Sequence, residues 1–146
     1  LKKNFLKHKS KKKFPKKIYI DRSDSKSNLN KFRGIKNEKE LVNFLKKKDF
    51  FSFKLSELSI EEQIKLFNSA EIIIGLHGAG LANLIWCNKS TKIIELKSKN
   101  TNKIYENLAK VNKIKYIGLS SKLVEDPIYN HYGIIEVNIK KLSMYL

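Results

Sequence analysis

The 146-residue chain has one cysteine, one methionine, one tryptophan and two prolines, and only two of its 31 basic residues are arginines, Arg22 and Arg33. A single thiol excludes an internal disulfide and any cysteine-based metal cluster, and fits a reducing compartment. That thiol, Cys87, follows Trp86 in an apolar stretch and reads as a buried structural group rather than a nucleophile. No apolar run approaches the ~20 residues of a membrane-spanning helix. The lysine-rich first 17 residues also lack the apolar segment of a secretory signal. The chain starts at Leu1, so targeting information, if any, is expected upstream.

Acidic residues are scarce as well, 14 against 31 basic, for a net charge of +17. Such a surface attracts polyanions, but the excess is uneven. Nine lysines and no acid fall in the first 17 residues, leaving +8 for the other 129. No array of base-reading Arg, Asn and Gln or of stacking aromatics accompanies them, which argues against a nucleic-acid site. Residues 1–16, ending in Pro15-Lys16, are expected to be a basic linker, or the tail of an upstream domain, able to touch an acidic membrane. Residues 17–146 are expected to form one domain.

Within that domain, strand and helix signals alternate. Ile18–Ile20 reads as a strand, the polar stretch 21–30 as a loop, and Asn37 with Glu40 as a capping box opening a helix that ends near Asp49. A strand over Phe50–Leu55 precedes a second capping box, Ser59 with Glu62, whose helix directs Ile60, Ile64, Leu66 and Phe67 inward. Strands are expected over Glu71–Ile74, Lys92–Leu96 and Lys115–Leu119. Helices are expected over Ala79–Cys87 and Thr101–Val111, the latter burying Ile104, Tyr105, Leu108 and Val111. Ser120–Gly133 reads as a long loop, and Ile134–Ile139 as a last strand or an extended return. This alternation predicts a doubly wound, mostly parallel, Rossmann-like α/β sheet with the loops after Ile20, Ile74 and Leu96 on one rim.

The block Gly75-Leu76-His77-Gly78-Ala79-Gly80-Leu81-Ala82-Asn83-Leu84, placed after a β-branched strand and before a helix, offers unpaired N–H groups to an anion. Its spacing matches neither the dinucleotide fingerprint nor the P-loop, which removes the main support for hydride transfer or NTP hydrolysis. Arg22 follows the first strand, and its planar fork suits a diphosphate. Asp21 and Asp24 could be read as a D-x-x-D metal site, but Arg22 between them opposes a divalent cation.

These segments together resemble the family 61 glycosyltransferases. The resemblance runs from about Lys17 to Lys97. It is carried by Ile18-Tyr19-Ile20-Asp21-Arg22-Ser23, by Leu58-Ser59-Ile60-Glu61-Glu62-Gln63-Ile64 with Phe67-Asn68-Ser69-Ala70, by the G-x-H-G-A-G-L-x-N block from Gly75 to Asn83, and by Ile93-Ile94-Glu95-Leu96. The family position at Asp21 is usually small and polar, a departure in this chain.

The resemblance implies the C-terminal, donor-binding half of a two-domain GT-B enzyme. It implies a UDP-linked nucleotide-sugar donor, no metal, and an inverting transfer to a glycan or protein acceptor. The donor-binding residues it implies are Arg22, Ser23, His77, Gly78, Ala79, Gly80, Asn83 and Glu95. The diphosphate would meet Arg22 and the turn from Gly78 to Gly80, and Glu95 would clamp a ribose. The catalytic base would come from the absent upstream domain, with His77 the candidate here.

Other readings stand beside these. His77 could tie the turn together, Asn83 could bond only the loop backbone, and Glu95 could pair with a lysine. A basic polyanion-binding module without catalysis is the alternative function, and a degenerate partner subunit that keeps the fold but loses the rim is a third. A lysine-rich, AT-rich-like composition suggests a bacterial capsule or lipopolysaccharide enzyme, in the cytoplasm or on the cytoplasmic face of the inner membrane.

Overall fold

The computed structural model describes residues 13–23, 33–125 and 133–146. Its elements in chain order are strand β1 (Lys17–Asp21), β2 (Arg33–Ile35), helix α1 (Glu38–Lys46), β3 (Phe51–Lys54), a 3₁₀ turn (Leu55–Glu57) and α2 (Ile60–Ser69). There follow β4 (Ile72–Leu76), a 3₁₀ helix (Ala79–Trp86), β5 (Lys92–Lys97), α3 (Ile104–Val111), β6 (Lys115–Ser120), β7 (Lys122–Glu125), β8 (Gly133–Glu136) and α4 (Ile139–Ser143).

Five strands form an all-parallel sheet in the order β3-β1-β4-β5-β6. The strands read as continuous apolar runs because both faces are covered. Alternate residues go to opposite sides. Ile18, Ile20, Ile73 and Ile93 meet Leu66 and Phe67 of α2, Leu81 and Leu84 of the 3₁₀ helix and Ala109 of α3. Tyr19, Ile74 and Ile94 meet Leu41 and Leu45 of α1 together with Ile135, Val137 and Leu142 near the C-terminus. Within the described residues, this confirms the doubly wound α/β expectation.

Several expectations are corrected. Ser120–Gly133 is not all loop, since it contains β7, which pairs antiparallel with β8 while β8 pairs parallel with β2 in a second, three-stranded sheet. Residues 126–132 lie outside the described residues, as do 24–30 of the expected 21–30 loop. The last strand stops at Glu136, and Asn138 then caps α4 by accepting from Lys141 N at 2.9 Å.

The capping box of α2 is present, with Ser59 and Glu62 bonded reciprocally, but Ile60 in its first turn is 75% exposed. In α3, Tyr105, Leu108 and Ala109 face the core, whereas Ile104 and Val111 point outward. Asn37 precedes α1 without capping it. Its side chain is taken by Val137, donating to the carbonyl and accepting from the N–H, both at 2.9 Å.

The packed chain also begins earlier than Lys17. Phe14 lies edge-on to Phe53 with centroids 6.4 Å apart, and Lys16 O accepts from Glu71 N and Ile72 N. Residues 1–12 of the expected linker lie outside the described residues.

Candidate functional site

In a parallel sheet all strands end on one rim, and here β1, β4 and β5 bring Arg22, His77 and Ser98 just past that rim. The chain passes from β1 outward to β3 and returns on the other side of β1 with β4. This reversal opens a crevice between the C-terminal ends of β1 and β4, the usual ligand position in doubly wound sheets. Arg22 and the glycine block stand at that crevice.

Arg22 and Gly78 are in close contact. A Cβ at residue 78 would sit 1.6 Å from Arg22 Nη1 and 2.7 Å from Cζ, so the guanidinium occupies the space that glycine leaves open. No ion pair among the described residues involves Arg22. The first backbone hydrogen bond of the turn runs from Leu81 N to Gly78 O at 2.9 Å, leaving the N–H groups of Gly78, Ala79 and Gly80 without backbone acceptors. The second arginine, Arg33, arrives on β2 and donates from Nη1 to His77 O at 3.2 Å. A cleft of about 360 Å³ opens there, lined by Tyr19, Arg22, Ser23, Arg33, Lys36 and Glu38 among others.

The β5–β6 side of the rim is closed. Gly75 and Leu76 belong to β4, so the loop starts at His77, which is 6% exposed. His77 N donates to Leu96 O at 2.9 Å and its Nδ1 lies 2.5 Å from Glu95 Oε1. A carboxylate only accepts, which assigns the hydrogen to Nδ1. Tyr116 donates its hydroxyl to Glu95 Oε2, and Lys97 Nζ lies 3.6 Å from the same oxygen. Gly118, opposite Glu95 in the β5–β6 register, makes room for this, since a Cβ there would meet Lys97 Cε at 3.0 Å and the Tyr116 hydroxyl at 3.1 Å. Burial, then the hydrogen bond to Glu95, raises the Tyr116 pKa well above its ordinary range and keeps it a donor. Tyr105 packs edge-on against the imidazole at 5.0 Å, its own pKa raised first by burial and then by Glu95.

The residues named from the sequence thus divide. Arg22, Gly78, Ala79 and Ser23 stand at the crevice, with Ala79 and Ser23 exposed. Glu95 was expected against a ribose, yet it is fully buried and both its oxygens turn inward to His77, Tyr116 and Lys97. Gly80 was expected to leave room for a phosphate or for the helix backbone; a Cβ there would meet Leu55 Cδ1 at 3.1 Å and Ile20 Cγ2 at 3.3 Å, so its smallness serves packing as well. Asn83 donates its amide to Gln63 Oε1 at 3.1 Å and Gly80 O at 3.3 Å, which ties the 3₁₀ helix to α2.

Arg33, Glu38, Tyr105 and Tyr116 escaped sequence reasoning. The rarity of arginine was the one signal pointing to Arg33. Among the described residues no three His, Cys, Asp or Glu side chains converge as a metal site, and Asp24 lies outside them.

An open parallel sheet with a basic cleft at its strand-order reversal defines a Rossmann-like α/β domain. The chain belongs to the Glycosyltransferase 61 family, whose model matches residues 1–94. Among its relatives are EGF domain-specific O-linked N-acetylglucosamine transferases. That of Gallus gallus is 34% identical over 91 residues, that of Bos taurus 33% over 91, and that of Drosophila melanogaster 29% over 93. The matches take in 59%, 59% and 62% of this chain but 17%, 17% and 18% of those proteins, so the chain spans about a sixth of the relatives it matches.

Proposed function

We propose that this domain binds the nucleotide-sugar donor of a two-domain, GT-B glycosyltransferase that transfers with inversion and without a metal. The observation that carries the reading is Arg22 laid on Gly78 at the β1–β4 crevice, without an ion-pair partner among the described residues, beside three N–H groups lacking backbone acceptors. The acceptor hydroxyl loses its proton to a base from the other half of the enzyme and attacks the anomeric carbon. The bond from that carbon to the β-phosphate oxygen breaks on the opposite face. The departing nucleoside diphosphate gains negative charge, which Arg22 and oriented N–H groups stabilise. Arg33 adds a second cation to the cleft wall.

His77, locked through Nδ1, holds the glycine turn against β5. Its relatives' name makes uridine diphosphate N-acetylglucosamine the first donor to try. A capsule or lipopolysaccharide glycan as acceptor, at the cytoplasmic face of a bacterial inner membrane, rests on the composition alone, with the basic residues of positions 1–17 meeting acidic headgroups.

Calorimetric titration of the full-length protein with uridine diphosphate tests the reading. Arg22→Ala removes a charge-assisted contact and is expected to weaken binding about ten- to a hundredfold. Equal binding by both proteins overturns the assigned site. Binding lost only when lysines 2–13 are replaced by alanine supports a polyanion-binding module instead.

A further inference from the structure

A nucleotide sugar presents more than a diphosphate, because each phosphate is joined to a ring bearing adjacent hydroxyls. A site with cations for the phosphates therefore gains specificity from a fixed carboxylate, which accepts two hydroxyl hydrogens at once. Glu95 cannot serve directly, because it is 0% exposed and its oxygens are engaged. Glu38 is the one acid among the described residues lining the arginine cleft, which it shares with Arg22, Ser23 and Arg33.

Glu38 is held in a particular way. Its Oε1 accepts a 2.7 Å hydrogen bond from Tyr19, whose ring is 1% exposed in the core beneath the cleft. Its Oε2 has no hydrogen-bond or ion-pair partner among the described residues. An acid in the first turn of a helix favours that helix whatever its orientation, so its role at the start of α1 does not explain why a core phenol fixes one oxygen and leaves the other unengaged. Pre-orientation by a buried group is what a binding carboxylate gains from such an arrangement.

We propose that Glu38 is the hydroxyl-reading carboxylate of the cleft, taking a vicinal diol of the donor while Arg22 and Arg33 take its phosphates. The proposal rests on the donor-binding reading above and names the residue that distinguishes a nucleoside diphosphate from a bare diphosphate.

The test uses the full-length protein and titrates inorganic pyrophosphate, uridine diphosphate, its 2′,3′-dideoxy analogue and uridine diphosphate N-acetylglucosamine. Glu38→Gln keeps an acceptor for Tyr19 and loses the charge, whereas Glu38→Asp keeps the charge and withdraws it by one methylene. Both are expected to leave pyrophosphate binding unchanged and to weaken the hydroxyl-bearing ligands roughly ten- to a hundredfold. If uridine diphosphate weakens while the dideoxy analogue binds wild type and variants alike, the diol is the ribose. If only the sugar-bearing ligand weakens, the diol is that of the transferred sugar. Wild-type affinity of both variants for uridine diphosphate and its sugar, with Arg22→Ala still weakening both, overturns the role of Glu38 alone. Arg22→Ala without effect on pyrophosphate or uridine diphosphate overturns the donor-binding reading beneath it.

Discussion

Two stretches of one rim treat charge in opposite ways. On the β5–β6 side the charge of Glu95 is matched internally, as it binds His77, Tyr116 and Lys97 and is sealed from water. On the β1–β4 side Arg22 stands over Gly78 without an ion pair among the described residues, facing a cleft with a second arginine and a half-engaged carboxylate. A buried charge must be matched by the protein itself, whereas a charge at a crevice can wait for a ligand. The closed cluster thus holds the turn on which the open one depends.

That division breaks if changes on the closed side affect ligand affinity alone, or changes on the open side affect folding alone. The largest effect is expected for Glu95→Ala, which strands His77 and Lys97 beside an apolar void. Stability in urea denaturation should fall by about 3–5 kcal/mol, and a loss below 1 kcal/mol would show that the cluster is not structural. Next comes Gly78→Ala, whose methyl group meets the Arg22 guanidinium and must displace it. Because the neighbour is a flexible side-chain tip, folding is retained, while affinity for uridine diphosphate falls nearly as far as in Arg22→Ala, about 1.5–3 kcal/mol. Unchanged affinity would mean that the contact with Gly78 does not position the arginine.

The smallest effect concerns Tyr19, beneath the open cleft. Burial first, then Glu38, raises its pKa far above the ordinary tyrosine value of 10.0. The unfolded chain can ionise this phenol near that pH and the folded chain cannot, so stability is held below it and lost above it, by up to ~1.4 kcal/mol per pH unit. Tyr19→Phe should therefore cost about 0.5–1.5 kcal/mol at neutral pH and give a shallower decline above pH 10 in denaturation curves. Parallel declines for both proteins would contradict the burial of the phenol.

The sheet was legible because its strands are apolar runs at even spacing and their helices carry side chains at helical intervals. The second sheet was not, since β2 is the three residues Arg33–Ile35 and β7 lies in a stretch that reads as turn. Of the site, Arg22 was legible through the rarity of arginine and Gly78 through the glycine spacing. Glu38 looked like any acid opening a helix, and no sequence pattern links it to Tyr19, nineteen positions earlier. The inward turn of Glu95 was hidden for a similar reason. It depends on Gly118, on the neighbouring strand, leaving space for a tyrosine hydroxyl and a lysine tip.

The side chain of Asn37 grips both backbone groups of Val137, a hundred positions later in the chain. The start of α1 thereby gives up its side-chain cap, and the chain before it is pinned only once Val137 has been made. During synthesis the region around Arg33 and Glu38 can gather its local turns early. Its final shape, however, waits for a stretch lying beyond the residues matched by the family model. A ribosome-bound chain ending short of Ile134 would carry every other described residue of the cleft and still lack the clasp that closes it, so binding competence should arrive abruptly once Val137 is in place rather than grow as the sheet assembles.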